Sequence, residues 1–389
     1  MDPVALSELV STLEKRFEVA TSMGLRLKPQ AKLRGMLRVR LNCFRLEFGD
    51  DPPVKVAPLK VRLKPDATPT KAQPRRLPPN DRDFLERHVA KLLEKKLVYR
   101  NTRSRWASAP RIVRKKEQDY DPTADPRMPV DTRAVNDRTE AMPWPMPILE
   151  VVVGELEGAK VFFVLDWFRG YWQLPLHPDS QEYFTFVTHR GMYTPTRVPM
   201  GATDSVAYCQ AVVEEIFGDL LGQGILCWLD DILGYAADEE GLMVLLDQVL
   251  ERCERYGLKL HAKKCVFFAT EVKWCGKMIS AKGVRHCPER VQGLAEMQSL
   301  RTAGDLQQFL CAVNWMRQSI PEYNKLTLRL YATLERAMQA AGSRKKAKLA
   351  KFLLADAGWS KEDDNDLAAV KAVLLNMVPI AHPSPDAEV

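Results

Sequence analysis

The feature that most constrains the fold is a pair of short apolar runs with only two acidic residues between them. Residues 225–229 and 232–235 have strand length and strand composition, and Asp230 and Asp231 separate them. A connection this short indicates an antiparallel hairpin. Such turns usually contain Asn-Gly or Asp-Gly, because glycine supplies the positive φ angle. Two aspartates without a glycine therefore indicate selection for something other than turn geometry.

The same argument extends to Asp166, which ends a third apolar run at 161–165. Adjacent carboxylates near a buried sheet repel each other and raise a pKa, and a bound divalent cation relieves that repulsion. Three carboxylates can hold two Mg²⁺ ions about 4 Å apart for phosphoryl transfer, and Mn²⁺ can substitute. The sequence therefore predicts that Asp166, Asp230 and Asp231 are catalytic and bind metal. A solvent-facing acidic turn is the alternative.

Composition agrees with a folded, nucleic-acid-handling protein. The 389 residues suggest two or three subdomains, and 46% are hydrophobic, which is enough for real interiors. A net charge of +7 and an isoelectric point near 8.9 suit a polyanionic partner. No apolar run approaches the ~18 residues of a membrane helix, so no membrane contact is predicted. We expect an intracellular protein, in a cytoplasmic particle or the nucleus.

Periodicity outlines the remaining elements. A basic stretch at 26–40 follows a short amphipathic helix and is interpreted as a solvated linker or a nucleic-acid contact. Patterns typical of regular structure then predict the following elements: a hairpin around Gly191, a helix over 204–217, a helix ending at Gly257, strands at 258–261, 265–268 and 273–280, mainly helix from 289 onward, and a final helix near 362–376.

An ordered set of longer motifs surrounds the aspartates. It consists of LKP (63–65), ASAP (107–110), RKK (114–116), VDTRAVN (130–136), VLDWFRGYWQL (164–174), FTF (184–186), GMY (191–193), VPMG (198–201), WLDD (228–231), KCVF (264–267), WCGKMIS (274–280) and FLCAVNW (309–315). Together, over roughly residues 59–385, these motifs resemble the reverse transcriptases of Ty3/gypsy-type LTR retrotransposons, the polymerase portion of a pol polyprotein.

The resemblance implies an α+β right-hand polymerase fold with fingers, a palm built on an antiparallel sheet, and a helical thumb. It implies RNA-directed and DNA-directed DNA synthesis from dNTPs on a primed RNA or DNA template. The implied domains are an N-terminal extension and basic linker at 1–58, fingers at 59–141 and 174–204, palm at 142–173 and 205–281, thumb at 282–340, and at 341–389 the start of a connection to an RNase H domain that the chain itself is expected to lack.

The resemblance also assigns a nucleotide site. The backbone carbonyl of Trp167 becomes a further metal ligand, and Lys115 and Arg127 match cations that bind the triphosphate. Tyr171 matches the aromatic residue beneath the incoming sugar, where its ring would clash with a ribose 2′-hydroxyl. The family's nucleotide loop and the helix behind it match Met200, Gly201 and Gln210. Exposed basic residues, a core tyrosine and simple packing are the respective alternatives.

A nucleic-acid site is implied further along the chain. Trp274, Cys275 and Gly276 match the grip on the primer end. Three residues spaced four apart would share one helix face that follows the duplex minor groove, namely Gln307, Cys311 and Trp315. A buried seam between helices is the competing interpretation of that face.

Some residues depart from the family pattern. Trp228 stands where Tyr or Phe is usual, Cys311 where glycine is common, and the stretch 117–125 is long and acidic. The sequence therefore leaves two further hypotheses open. One is a catalytically silent module that binds RNA or DNA, and the other is a structural subunit that dimerises with another pol copy.

Overall fold

Residues 3–114, 126–149 and 154–382 are described by the computed structural model. The described residues of Met1–Val152 and Gly158–Thr270 form one unit, and those of Val153–Glu157 and Glu271–Val389 form a second. Helices and mostly antiparallel sheets occur in both, which confirms the predicted α+β class. No helix within these ranges is long and apolar enough to cross a membrane.

Helices make up a large part of both units. The described α-helices include Pro3–Ser22, Leu27–Val39, Pro79–Glu94, Arg133–Asn136, Pro178–Gln181, Ser205–Phe217, Glu239–Tyr256, Pro288–Ala295, Ala303–Asn314, Tyr323–Ala340, Lys346–Leu349 and Lys361–Leu375.

Twelve strands are described, and they form four small sheets. They are β1 (Phe44–Arg45), β2 (Val98–Arg100), β3 (Val161–Asp166), β4 (Phe186–Thr188), β5 (Gly191–Pro195), β6 (Ile225–Trp228), β7 (Asp231–Ala236), β8 (Leu260–His261), β9 (Val266–Ala269), β10 (Glu271–Trp274), β11 (Lys277–Ser280) and β12 (Gly283–His286). The first unit holds the antiparallel sheet β6-β7-β3-β9, the sheet β2-β5-β4 and the parallel pair β1-β8. The second unit holds β10-β11-β12.

The four-stranded sheet is the centre of the first unit. Its strand β3 buries Phe162, Phe163 and Leu165 completely, which explains why this run is continuously apolar. A Cβ on Gly234 of β7 would lie 2.1 Å from the Phe163 ring, so only glycine fits beneath that ring.

The helix Glu239–Tyr256 packs on β3 and β7 and is well defined at both ends. Asp238 accepts a hydrogen bond from the Gly241 amide at 2.8 Å, and Gly257 ends the helix at φ +78°, as predicted.

The basic stretch near the N-terminus is not a linker. Most of it forms the helix Leu27–Val39, which packs on Glu239–Tyr256. Arg40 lies 3.0 Å from Asp247 and 2.6 Å from Glu254, and Arg26 and Lys32 pair with Glu239 and Glu240 at 3.0 and 2.6 Å. The linker interpretation is wrong because these cations find their acidic partners more than 200 residues away.

The sheet β2-β5-β4 carries a smaller core of its own. The β4-β5 hairpin turns at Gly191, as predicted, where φ is +138°. The helix Pro79–Glu94 covers this sheet with Leu85, Val89 and Leu92, which pack on Phe186 and Tyr193.

In the second unit, one predicted strand is a hairpin. The stretch 273–280 reverses direction at Cys275 and Gly276, whose φ angles are +48° and +76°, so that β10 and β11 pair side by side. The stretch was predicted as one strand because apolar residues lie on both sides of the turn, Trp274 before it and Met278 and Ile279 after it. The expected final helix is confirmed as Lys361–Leu375. The helices of this unit share a core that contains Leu306, Phe309, Leu310, Leu330, Leu334, Leu367 and Val370.

Candidate active site

The three predicted aspartates lie at one edge of the four-stranded sheet. Asp166 ends β3 and Asp231 begins β7, and the antiparallel register places these two residues opposite each other. Asp230 lies in the turn before β7, and its carbonyl accepts a hydrogen bond from the Trp167 amide at 2.9 Å. The register of β3 and β7 therefore brings Asp166 close to Asp230 and Asp231, which lie 64 and 65 positions later in the sequence.

The hairpin turn is strained at a residue other than the aspartates. Strand β6 ends at Trp228, one residue earlier than expected, and Leu229 adopts a left-handed φ of +56°. This conformation costs a side chain larger than glycine about 1–2 kcal/mol. The buried side chain of Gln210, on the helix Ser205–Phe217, accepts a hydrogen bond from the Leu229 amide at 3.4 Å. Gln210 was predicted to contact nucleotide; in the structure it supports the turn that carries the aspartates.

Burial and mutual repulsion act on the carboxylates of the turn. The pKa of Asp231 rises to about 6, first because the group is buried and then because Asp230 and Asp166 are negative. Burial is also the largest reason for the raised pKa of Asp230, to which Asp166 adds. This sheet edge therefore disfavours ionised carboxylates when no cation is bound. A bound cation would stabilise their negative charge.

The donor set fits a hard divalent cation, since the three side chains offer only carboxylate oxygens. In the described ranges, however, no three histidine, cysteine or acidic side chains converge tightly enough to form a ready-made metal cluster. The Asp166 carboxylate instead faces Lys264, whose Nζ lies 3.0 and 2.8 Å from its two oxygens. Trp167 is buried, with 1% of its surface exposed.

Tyr171 lies beside these carboxylates, in the short 3-10 turn Gly170–Gln173. Its hydroxyl is partly buried, and the pKa of Tyr171 is raised by that burial and by the nearby Cys209 and Asp230. Gly170 comes even closer, because a Cβ at that position would lie 3.3 Å from Asp230 Oδ2. The loop after Asp166 therefore returns to the turn that carries Asp230.

Hydrogen bonds stabilise the predicted nucleotide loop at Met200 and Gly201. Gly201 has a φ of +93°, and its carbonyl accepts hydrogen bonds from Thr132 Oγ1 at 2.8 Å and Asn136 Nδ2 at 2.9 Å. Met200 is 55% exposed and contributes an apolar surface to solvent.

Arg127 is placed by a backbone bridge to Val113, with N···O distances of 2.9 and 2.8 Å. Its positive charge offsets a small part of the rise in the pKa of Asp230, so Arg127 lies within electrostatic reach of that carboxylate. Lys115 and the acidic stretch 117–125 lie outside the described residues.

A groove of about 750 Å³ in the first unit has a cationic lining. Arg75, Arg111 and Arg133 all pair with Asp131, at 3.1, 2.9 and 2.7 Å. Arg133 and, after it, Arg111 hold the pKa of Asp131 far below its usual range. Three cations on one carboxylate leave a net positive surface.

The predicted primer and duplex contacts lie in the second unit. Trp274 is 2% exposed, so its ring is part of the interior, while Cys275 and Gly276 form the β10-β11 turn. On the helix Ala303–Asn314, Cys311 is exposed and Gln307 is half-buried. Trp315, just after that helix, is 37% exposed. The alternative of a buried seam is therefore wrong.

Trp315 has cations on its ring. The Lys277 ammonium lies 5.1 Å from the ring centre and the Arg290 guanidinium 5.4 Å, and His286 meets the ring edge. Lys277 and His286 are buried, whereas Arg290 and Trp315 are exposed. The exposed guanidinium and indole ring form a basic and aromatic surface that suits a polyanion with stacking faces.

Sequence reasoning did not assign Lys264, Gly170 or the supporting role of Gln210. The sequence signal for Lys264 was its place in the KCVF motif, but its distance from Asp166 depends on the pairing of β3 with β9.

The chain is similar to known proteins in both sequence and fold. Residues 113–279 match the family described as reverse transcriptase (RNA-dependent DNA polymerase). Over 201 residues, 52% of the chain, the sequence is 27% identical to the transposon Tf2-3 polyprotein of Schizosaccharomyces pombe and 26% identical to the Tf2-7 polyprotein of the same organism. The match covers only 15% of each polyprotein.

The fold is similar to that of solved foamy viral protease-reverse transcriptases. One such structure, in complex with double-stranded DNA, has a TM-score of 0.82 at 18% identity and covers 96% of this chain and 62% of its own. Another, with an RNA/DNA hybrid, has a TM-score of 0.80 at 18% identity and covers 95% and 47%. These matches confirm the right-hand polymerase fold.

Proposed function

We propose that this chain is an RNA-directed DNA polymerase of the Ty3/gypsy retrotransposon type, because residues 113–279 match the reverse-transcriptase family and the sequence is similar to the Tf2 transposon polyproteins. It adds dNTPs to the 3′ end of a primer and also accepts DNA templates. The observation that carries the proposal is the meeting of Asp166 and Asp231 across β3 and β7, with Asp230 in the adjoining turn.

Asp166, Asp230 and Asp231 would hold two Mg²⁺ ions, with the Trp167 carbonyl as a further ligand. Bound there, such ions lower the pKa of the attacking hydroxyl and neutralise the leaving pyrophosphate. The chain's own contribution is to position the carboxylates on a rigid sheet edge. The strained Leu229 turn and its contact to Gln210 serve that positioning.

Arg127 and Lys115 would bind the triphosphate, and the charge of Arg127 already acts on Asp230. Tyr171, partly buried next to that carboxylate, would lie beneath the incoming sugar and exclude a 2′-hydroxyl. Met200 and Gly201 would border the same nucleotide.

Template and primer would be held by cationic surfaces in each unit. The groove lined by Lys71, Arg75 and Arg133 suits a template backbone. In the second unit, the exposed Trp315 and Arg290 suit a duplex, together with Gln307, Cys311 and the Cys275-Gly276 turn. The proposed domains are fingers at 59–141 and 174–204, palm at 142–173 and 205–281, thumb at 282–340, and a connection from 341.

Incorporation of dTTP on an oligo(dT)-primed poly(rA) template tests the proposal, with a DNA template of matched length in parallel. We expect extension on both templates with Mg²⁺ or Mn²⁺. A folded protein that adds no nucleotide with either ion on either template would refute the polymerase activity.

A catalytically silent nucleic-acid-binding module is the second candidate. The contact between Asp166 and Lys264 favours it, because it withdraws one carboxylate from the metal-binding edge. This alternative predicts duplex binding that weakens steeply with salt, without any extension.

A further inference from the structure

Three charged residues form a row across the edge of the four-stranded sheet. In the register, Asp166 faces Asp231 on one side. On the other side of β3, Val164 pairs with Val266 of β9. Because the two strands are antiparallel, the same register places Asp166 opposite Lys264. Asp166 therefore stands between an acidic neighbour and a cation.

The Asp166 carboxylate makes its contacts on the cationic side. Lys264 Nζ lies 2.8 Å from one oxygen and 3.0 Å from the other, so both oxygens face one ammonium. The Asp166 side chain is 15% exposed and the Lys264 side chain is 56% exposed. The lysine can therefore leave into solvent at small cost, whereas the carboxylate cannot.

We propose that Lys264 is the resident counter-ion of Asp166 and competes with a divalent cation for it, so that the edge takes up its cation together with the nucleotide. This inference rests on the proposed function, because it concerns the same three carboxylates. An ammonium and a divalent cation repel each other and cannot share both oxygens of one carboxylate. Magnesium in such sites is usually held by one or two carboxylates together with substrate phosphates, which would supply the interactions that displace the lysine.

The turn that carries Lys264 is fixed, so only its side chain needs to move. The Lys264 amide donates to the His261 carbonyl at 2.9 Å, which closes the turn. On the outer side, Arg16 of the helix Pro3–Ser22 donates a hydrogen bond to the carbonyl of Lys263. The N-terminal helix therefore holds the base of the lysine beside the catalytic edge.

Binding of Mn²⁺ without nucleotide tests the proposal directly, by the loss of the free-ion signal in electron paramagnetic resonance. The full chain is compared with Lys264→Met and with Lys263→Met. Lys263 is the matched control, since it is an exposed lysine in the same turn. We expect Lys264→Met to bind Mn²⁺ at least about fivefold more tightly, the scale of a part-exposed ion pair, and Lys263→Met to stay within about twofold of the original chain.

A double variant shows whether the effect passes through Asp166. Adding Asp166→Asn to Lys264→Met should remove the gain in affinity. Equal or weaker binding by Lys264→Met, an equal gain in Lys263→Met, or a gain that survives Asp166→Asn would each overturn the proposal. Primer extension is a separate readout: an affinity gain in a protein that never extends primers would refute the polymerase and leave the role of Lys264 standing.

Discussion

Gln210 and Leu229 are joined across the boundary between a helix and the hairpin that presents the aspartates. The Leu229 amide, in a residue with φ +56°, donates to Gln210 Oε1 at 3.4 Å. A buried glutamine thus stabilises the conformation that the turn sequence disfavours.

Replacing Gln210 by Met should loosen this turn, because methionine has a similar volume but no amide oxygen. We expect a loss of about 1 kcal/mol in the free energy of unfolding, the usual cost of a buried donor without its acceptor. Primer extension should fall about tenfold, since small displacements of catalytic groups are costly. Urea denaturation and steady-state extension measure the two effects. Gln210→Glu, which keeps an acceptor, should retain more activity than Gln210→Met; the reverse order would contradict the supporting role.

Gly170→Ala should affect catalysis more than stability. The added Cβ would lie 3.3 Å from Asp230 Oδ2, so the carboxylate must shift by a few tenths of an ångström. We expect kcat to fall about tenfold while the free energy of unfolding changes by less than about 1 kcal/mol. Gly293→Ala is the control, because that exposed helical position has nothing within 4 Å of the new Cβ. Equal effects of the two variants on kcat would contradict the argument.

The raised pKa of Asp231 predicts how stability depends on pH. Its ordinary value is 3.8 and its value in the folded chain is about 6, so between these values the folded state binds more protons than the unfolded state. The free energy of unfolding should therefore fall as pH rises from about 4 to above 6. Asp231→Asn should flatten this slope and add about 1–2 kcal/mol at pH 8, a value reduced to allow for partial exposure. Urea denaturation at pH 5 and pH 8 checks it, and an Asp231→Asn chain that is less stable at pH 8 would contradict it.

The helix Leu27–Val39 should be held partly by charge. Arg40 pairs with Asp247 and Glu254, and its own side chain is only 15% exposed. Arg40→Ala should lower the free energy of unfolding by about 1 kcal/mol at low salt and by less at 1 M salt. Arg38→Ala, an exposed arginine two residues earlier, should change little. Thermal unfolding at the two salt concentrations separates them, and a salt-independent loss would indicate packing rather than charge.

Local sequence was sufficient for the elements with strong periodicity. The strand ending at Asp166, the helix ending at Gly257 and the hairpin at Gly191 all depend on short-range patterns of apolar residues and turn residues. The grouping of the three aspartates was likewise foreseeable, because Asp166 ends a strand, Asp231 begins one and Asp230 lies in the turn just before it.

Long-range pairing could not be foreseen in the same way. The basic stretch resembled a linker because Glu239 and Asp247 are distant in sequence. The contact of Lys264 with Asp166 depends on the register of β3 against β9, and no local pattern specifies that register. The hairpin at Cys275 was missed because apolar residues lie on both sides of its turn, Trp274 before it and Met278 and Ile279 after it.

Primer extension by the full chain and by Asp230→Asn, with duplex affinity measured on the same preparations, tests the central claim most directly. If the three aspartates catalyse nucleotide addition, Asp230→Asn loses extension by at least about a thousandfold and binds the duplex within about threefold of the original chain. Extension that survives Asp230→Asn, or an equal loss of extension and duplex binding, would contradict the assignment of this sheet edge as the catalytic centre.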